Sequence, residues 1–339
     1  MRMLPRLAAP KHSFVGGVLL LGLLAALVSG CAPVHKAVPS PAPTSLATAA
    51  PGALRIGVLP ITDTVPFYVA EAQGYYQQQG LKVELVPASS AAERDQLMIA
   101  GRIDGEVSDL IAVALFDADQ PRLTIVRKAR QAIAGSPQLY ILAPKASTIR
   151  SVSELAGVEV AVSQNSLIQY VTERLLQLEG VPKDQIRTTN VPQIAVRLQL
   201  LEQGQVKAAT LPDPLGSLAL MEGARLLIDD SKHPEISQSV IAFSSQVVRE
   251  RPQDVRAFLA AYEKALQDIR SHPEQFHDLL VEKGRVPDAL KGHYTFPVFP
   301  DPSVPSRSQW EDATDWLVSK GLLRAPVAYE TAVDDQFVR

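Results

Sequence analysis

Two segments of the chain share one pattern: Gly101–Asp109 reads GRIDGEVSD, and Gly204–Asp213 reads GQVKAATLPD. Each follows a predicted helix, begins at a glycine that suits the C-terminal cap of that helix, and continues as a short strand. Each also places an acidic residue where the strand ends. The chain is therefore predicted to contain two β-α-β-α units. The alternative is that the two segments resemble each other by chance. The alternation of strands and helices around them would still predict two α/β lobes.

Short strands and helices alternate around both segments. In the first half, the predicted strands Leu54–Leu59 and Lys82–Val86 flank a helix that begins near Pro66. In the second half, the predicted strand Val158–Ser163 precedes the amphipathic helix Leu167–Glu179. Strands separated by helices of this length indicate parallel pairing. The predicted fold class is α/β, with two lobes, each a mainly parallel sheet flanked by helices.

The C-terminal part of the chain is predicted to be helical, with a long helix over Arg251–Arg270. We assign this tail to the first lobe, so the chain crosses between the lobes twice, near 137–142 and near 236–243. Two crossings make a hinge, and two lobes on a hinge enclose a cleft. The predicted division is lobe 1 at 53–138 and 240–339 and lobe 2 at 139–239.

Residues 1–30 are predicted to form a lipoprotein signal peptide. Basic residues precede an apolar run from Phe14 to Val28, and small residues lead to Cys31. This order is typical of secretory signals, and a cysteine directly after the small residues resembles a bacterial lipobox. Lipidation of Cys31, with palmitate among its acyl chains, would hold the protein outside the cytoplasm, at the periplasmic face or cell surface. An uncleaved N-terminal anchor is the alternative.

Residues 31–52 are predicted to form an extended tether, because positions 32–52 hold five prolines and one charged residue. Cys31 is the only cysteine, and its thiol is assigned to the lipid anchor. The exported domain is therefore expected to contain no disulfide and no cysteine nucleophile. The net charge of −3 does not indicate a nucleic-acid-binding protein, since such proteins usually carry an excess of positive charge. The histidines are scattered, and no nucleotide-binding or nucleophile-elbow motif occurs. No enzymatic activity, cofactor or metal site is predicted.

Several short motifs follow one another in an order that resembles a known family. They are Phe67–Ala70, Gly74–Tyr76, Gly80–Glu84, Ala100–Gly105, Ser153–Gly157 with Val160–Val162, and Pro252–Asp268. The family is the branch of ABC-transporter substrate-binding proteins that serves nitrate, sulfonates, taurine and thiamine pyrimidine precursors. The resemblance implies a type II periplasmic-binding-protein fold whose lobes close over a small solute. It also implies an ABC permease and ATPase as partners, with the protein acting as a monomer.

In open α/β sheets, ligands bind beyond the carboxyl ends of strands, near the starts of helices. Four polar segments of the sequence qualify, and none contains Arg, Lys or His. The candidate ligand-binding residues are Thr62, Asp63, Thr64, Phe67, Tyr68, Ser89, Ser90, Ser108, Asp109, Gln164, Asn165, Ser166 and Asp213. Helix capping is the alternative role for Ser89, Ser90, Ser166 and Asp109, and a turn is the alternative for Asp63.

The candidate residues include three carboxylates and no cation, which disfavours a bare anion as the ligand. By the repeat, Asp109 and Asp213 are expected to approach one solute from opposite lobes. The predicted solute is therefore amino-bearing or heterocyclic. An oxyanion such as a sulfonate or nitrate is the alternative, because the helix starts at Ser90 and Ser166 offer backbone N–H groups. A sensor or scaffold lobe without transport is a third reading. Many members of the family have an aromatic-Glu-Pro segment at this strand end, whereas this chain has Leu-Pro-Asp-Pro at Leu211–Pro214. The acid and the proline are kept but the aromatic ring is absent, so the solute of any one member is not transferred to this chain.

Overall fold

A computed structural model of the chain describes residues 52–339. The predicted signal peptide, Cys31 and all but the last residue of the predicted tether lie outside the described residues. Within residues 52–339, no helix combines the length and the apolar character that a bilayer-spanning segment needs.

The described chain folds into two five-stranded sheets. The strands are β1 (Leu54–Val58), β2 (Val83–Pro87), β3 (Gly105–Asp109), β4 (Leu123–Gln131), β5 (Leu139–Ala143), β6 (Glu159–Val162), β7 (Arg187–Asn190), β8 (Ala208–Pro212), β9 (Arg225–Asp229) and β10 (Gln238–Ser244). The first sheet has the order β2-β1-β3-β10-β4, and the second has the order β7-β6-β8-β5-β9. In each sheet three neighbouring strands pair in parallel. One strand, β10 or β5, runs antiparallel beside them, and the fifth strand, β4 or β9, pairs antiparallel with it.

Helices flank both sheets. They are α1 (Val65–Ala72), α2 (Tyr75–Gln78), α3 (Ala91–Ile99), α4 (Leu110–Phe116), α5 (Leu167–Leu178), α6 (Ile194–Glu202), α7 (Leu215–Met221), α8 (Ser245–Glu250), α9 (Pro252–Ser271), α10 (His277–Lys283), α11 (Arg307–Ser319) and α12 (Tyr329–Ala332). The predicted α/β class, with two sheets flanked by helices, is confirmed.

The two predicted units occupy equivalent places in the two sheets. Helix α3 leads through Gly101 into β3, and α6 leads through Gly204 into β8. Both glycines have positive φ, 61° and 66°, which an L side chain rarely adopts. β3 pairs with β1 so that Glu106 lies opposite Gly57, and β8 pairs with β6 so that Ala209 lies opposite Ala161. Glu106 and Ala209 are thus equivalent positions.

The chain passes between the sheets through two connections. Residues 132–138 lead from β4 in the first sheet to β5 in the second. Residues 230–237 lead from β9 back to β10. Because β10 begins at Gln238, it starts two residues before the boundary that the sequence placed at 240.

Helix α9 packs through aromatic contacts on α1 and on strand β10 of the first sheet, where the rings of Phe243 and Phe258 lie 5.6 Å apart. The ring of Phe67 lies 5.1 Å from that of Phe258 and 5.4 Å from that of Tyr262, both edge-to-face. All three side chains are fully buried. Aromatic pairs in this geometry add about 0.5–1.5 kcal/mol beyond the burial of their area. The long helix of the tail therefore belongs to the first sheet.

Helix α11, near the end of the C-terminal tail, contacts α4 beside the first sheet and also α5 beside the second sheet. Tyr170 of α5 donates a hydrogen bond of 2.6 Å to Asp312, and its ring packs at 5.5 Å against Trp316. The Nε1 of Trp316 donates a bond of 2.9 Å to Glu173, also on α5. The tail therefore contacts helices beside both sheets.

Candidate functional site

Arg130, at the end of β4, lies between acidic residues of the two sheets. Its side chain is 3% exposed. The Nη1 atom donates to the Thr62 hydroxyl at 3.1 Å and lies 3.4 Å from the Asp63 carboxylate. The Nη2 atom donates to the Pro137 carbonyl at 2.7 Å and lies 3.9 Å from the Asp213 carboxylate. One buried cation thus joins acids that follow β1 and β8.

This arrangement corrects the expectation that the acidic candidates have no cationic partner. Asp63 and Asp213 both lie within ion-pair distance of Arg130. Arg130 belongs to a strand, whereas the candidate residues come from segments that follow strands. Acids also raise the pKa of the Arg130 guanidinium, although burial acts to lower it.

The Asp213 carboxylate is surrounded by hydroxyl donors. Ser217 donates to one oxygen at 2.5 Å, and the Tyr140 hydroxyl lies 3.5 Å from the same oxygen. The Tyr294 hydroxyl donates to the other oxygen. Burial, and then the charge of Asp213, raise the pKa of both tyrosines above the ordinary value, so both remain protonated donors.

Two further carboxylates belong to the same buried network. Asp63 accepts a bond of 2.6 Å from the Ser239 hydroxyl, in addition to its pairing with Arg130. Asp230, on the second connection, accepts from the Gln138 backbone N–H at 2.8 Å and from the Ser237 hydroxyl. Burial raises the pKa of Asp230 to about 6. The network therefore contains three carboxyl groups around one guanidinium.

A cavity of about 330 Å³ opens beside this network. Its polar lining comes from β4, the first connection, β5, the β8–α7 turn, α7 and the segment before α11. These lining residues include Arg130, Ser136, Tyr140, Asp213, Ser217 and Tyr294. The volume lies at the lower end of the range for small-molecule sites.

A second cavity, of about 500 Å³, lies between α3, α4 and the start of α5. Asp109 lines it together with Asn165 and Ser166. The Asp109 carboxylate accepts a bond of 2.9 Å from the Ala112 N–H and so caps α4. The structure therefore places Asp109 and Asp213 in different cavities, not on either side of one solute as the repeat suggested.

The remaining candidates of the first sheet divide between packing and capping. Phe67 is fully buried in the core, and Tyr68 is half-buried with the Lys283 ammonium 5.1 Å from its ring centre. Ser90 accepts from the Glu93 N–H at 3.2 Å and caps α3, while the Ser89 N–H donates to the Glu93 carboxylate. Thr64 bonds backbone carbonyls, and Ser108 is buried without a hydrogen-bond partner among residues 52–339.

The candidates at the start of α5 form their own turn. Gln164 is exposed, and its N–H donates to the Asn190 side chain at 3.1 Å. Asn165 has a positive φ of 56°, and its N–H donates to Gln169. The Ser166 hydroxyl donates to the Ser163 carbonyl at 2.7 Å instead of capping the helix. None of the three lines the cavity beside Arg130.

No group of three or more His, Cys, Asp or Glu side chains is placed to hold a metal ion within residues 52–339. The polar network around Arg130 consists of hydroxyl, carboxyl and guanidinium groups.

Comparisons with known proteins place this two-lobed chain in a family and identify solved structures that share its fold. The chain belongs to the NMT1/THI5-like family, whose profile matches residues 61–276. A Haemophilus influenzae protein assigned provisionally to thiamine biosynthesis is 24% identical over 218 residues, which cover 63% of this chain and 67% of that protein.

Solved structures share the fold at low sequence identity. The aliphatic sulphonate-binding protein SsuA of Escherichia coli has a TM-score of 0.72 and 20% identity, covering 84% of this chain and 93% of that chain. The nitrate-binding protein NrtA of Synechocystis PCC 6803 has a TM-score of 0.65 and 17% identity, covering 84% and 87%. The desulfurization enzyme DszB has a TM-score of 0.62 and 17% identity, covering 84% and 97%. The periplasmic-binding-protein fold is thereby confirmed.

Proposed function

We propose that this protein is the extracytoplasmic, lipid-anchored solute-binding component of an ABC importer, and that it captures a small polar solute by hinge closure. The observation that carries the proposal is the cavity beside Arg130. Side chains of both sheets and of the first connection meet there, so a solute held in it would contact both lobes at once. The family membership and the fold of the solved relatives support the same reading.

The charges of the site favour a solute with N–H donors. Asp63 and Asp213 lie within ion-pair distance of the Arg130 guanidinium, and the charge of Asp230 acts on it at longer range, so carboxyl groups outnumber the cation in the network; of these three acids, Asp213 lines the cavity. A cationic or N–H-donating ligand lowers the cost of keeping these acids in a dry site. An amino-bearing or heterocyclic compound meets this requirement.

The alternative is a small oxyanion such as a sulfonate or nitrate. Arg130 is the observation that favours it, since a guanidinium matches oxyanion geometry with two parallel donors. The names of the Escherichia coli and Synechocystis proteins state sulphonate and nitrate binding for those proteins. In the present chain, however, both Nη atoms of Arg130 already donate to protein oxygens.

Binding without catalysis is the second part of the proposal. The fold is shared by binding proteins and by a desulfurization enzyme, so the fold alone does not separate the two activities. Position 31 holds the only cysteine, so a thiol nucleophile is not available in the folded part of the chain. Hydroxyl groups around Asp213 serve to hold a solute in place.

The test is a panel of solutes measured by calorimetry and thermal unfolding. Mass spectrometry of small molecules released from the purified protein selects the compounds, and methanesulfonate and nitrate are added as the oxyanion alternative. A solute at 100 times its Kd is expected to add about 2.7 kcal/mol to the free energy of unfolding. Binding of methanesulfonate or nitrate alone would favour the oxyanion reading. An unchanged radius of gyration with a tight solute would reject hinge closure.

The membrane anchor is tested by Cys31→Ser. Wild-type protein is expected to partition into the detergent phase, because lipid on Cys31 supplies acyl chains that the folded domain lacks. The variant is expected in the aqueous phase or at its precursor mass. Wild-type protein found in the aqueous phase with residues before Cys31 intact would reject lipidation.

A further inference from the structure

Arg197, in the first turn of α6, is a fully buried cation without an acidic partner in the described part of the chain. Its Nη1 atom donates to the Ser163 hydroxyl at 3.0 Å and to the Val191 carbonyl at 2.9 Å. The Nε and Nη2 atoms are buried and have no hydrogen-bond partner among residues 52–339. Burial lowers the pKa of Arg197 to about 10. Such a group is costly unless something pairs with it.

The equivalent arginine of the first unit has acidic partners. Arg94 precedes Gly101 by seven residues, as Arg197 precedes Gly204. The Arg94 guanidinium lies 2.7 Å from Asp95 and 3.3 Å from Glu106. Although burial acts to lower it, these acids raise the pKa of Arg94 above its ordinary value.

Neither acid has a counterpart beside Arg197. The position that follows Arg197 is Leu198, where the first unit has Asp95. The strand register makes Ala209 the equivalent of Glu106. The second unit thus keeps a buried arginine and replaces both of its acidic partners with apolar side chains. A packing role alone would not need a guanidinium at that position.

The unpaired guanidinium lies at the edge where a ligand is expected. Ser163 follows β6, and Val191 follows β7, so both mark the carboxyl edge of the second sheet. Helix α6 begins three residues after Val191, and its N-cap residue Gln193 makes no side-chain cap bond. The positive end of the helix dipole and two unused guanidinium donors therefore meet at one place.

We propose that this edge binds an oxyanion, namely a carboxylate, sulfonate or phosphate group, which pairs with Nε and Nη2 of Arg197. β6 lies next to β8 in the sheet, so Asp213 follows the neighbouring strand at the same edge. The next step rests on the proposed function: the oxyanion is one end of the captured solute, and the N–H donors of that solute face Asp213. A free inorganic anion could pair with Arg197 in the same way, and the second experiment below distinguishes it from an oxyanion that belongs to the solute.

The first experiment compares wild type with Arg197→Met, and uses Arg187→Met as the matched control. Arg187 is an exposed cation on β7 of the same lobe. Thermal unfolding is measured in sodium chloride and in sodium sulfate at equal ionic strength. At 100 times the Kd for sulfate, wild type and Arg187→Met are expected to gain roughly 5 °C. Arg197→Met is expected to lose the part of the gain that comes from binding, to keep only the general stabilisation that excluded sulfate gives, and to be at least as stable as wild type in chloride.

An equal gain from sulfate in Arg197→Met and wild type overturns the proposal, as does the absence of any gain in wild type. If Arg197→Met does not fold, Arg197→Lys serves instead, because it keeps the buried charge but loses the fork of donors. Its affinity for sulfate is expected to fall at least tenfold. An unchanged affinity also overturns the proposal.

The second experiment identifies the source of the oxyanion. Calorimetry compares taurine and β-alanine, which carry both an amino group and an oxyanion, with propylamine, which carries the amino group alone. If the oxyanion belongs to the solute, Arg197→Met lowers the affinity for taurine or β-alanine to that for propylamine. If sulfate binds but these compounds do not, the anion is inorganic. Wild type that binds sulfate but no amine rejects the proposed solute while the oxyanion site stands.

Discussion

Replacing Arg130 by methionine is expected to lower the free energy of unfolding by about 3–5 kcal/mol. The guanidinium is 3% exposed and lies within ion-pair distance of Asp63 and Asp213. Its removal leaves both carboxylates buried without a cation, and their mutual repulsion is no longer offset. The side chain also donates to the Thr62 hydroxyl and to the Pro137 carbonyl, so those oxygens each lose a bond. Urea unfolding of the purified variant measures the loss.

The matched control for this change is Arg122→Met. Arg122 is an exposed arginine immediately before β4. Surface substitutions of this kind usually change the free energy of unfolding by no more than about 0.5 kcal/mol. A second comparison adds Asp63→Asn to Arg130→Met, which removes one of the two unpaired charges and should recover part of the loss. Equal stability of Arg130→Met and Arg122→Met would show that the ion pairs contribute nothing to the fold.

The repeated units could be predicted from the sequence because their signals are local. A glycine that ends a helix and the strand after it lie within ten residues, and both Gly101 and Gly204 take the positive φ that the pattern requires. The alternation of strand and helix then determines parallel pairing. The structure confirms the α/β class on this basis.

Strands β5 and β9 were missed because their pairing is not local. β5 runs antiparallel to β8 and β9, so its partners lie about 70 and 90 residues further along the chain. Five apolar residues such as Leu139–Ala143 do not by themselves separate a strand from a hinge segment. Part of β5 therefore falls within the predicted crossing at 137–142.

The central cation of the site was missed for the same reason. Arg130 belongs to the strand segment LTIVRKARQ, where charged residues normally face solvent. Its acidic partners, Asp63 and Asp213, lie 67 and 83 residues away in sequence, and only the fold brings them together. The acids are recognisable in the sequence because they follow strands. No local pattern marks a cation inside a strand.

A motif locates a residue near a strand end but does not fix the direction of its side chain. Phe67 lies one turn from Asp63, yet it packs against Phe258 in the core. Asp109 ends β3 as expected, yet its carboxylate caps α4. Capping a helix and packing in the core are the alternatives to contacting a ligand. Which of these roles a residue takes depends on its spatial neighbours, and the sequence alone does not place those neighbours.

Replacing Asp213 by asparagine is expected to weaken the binding of the native solute by about ten- to a hundredfold. The carboxylate lies at the end of β8, next to the cavity beside Arg130, and hydrogen bonds to a charged group contribute about 1.5–3 kcal/mol. The neutral amide keeps the volume of the side chain, so the change removes charge with little loss of packing. Calorimetry well below the melting temperature measures the Kd.

Asp109→Asn is the matched control, because the two acids end equivalent strands but line different cavities. Asparagine is as good a helix N-cap as aspartate, so this variant is expected to keep both its stability and its affinity. If Asp213 serves only to hold Tyr294 and Ser217 in place, Asp213→Asn lowers the melting temperature and leaves the Kd unchanged. That outcome would remove Asp213 from the binding site. A loss of affinity in Asp109→Asn alone would move the site to the cavity between α3, α4 and α5.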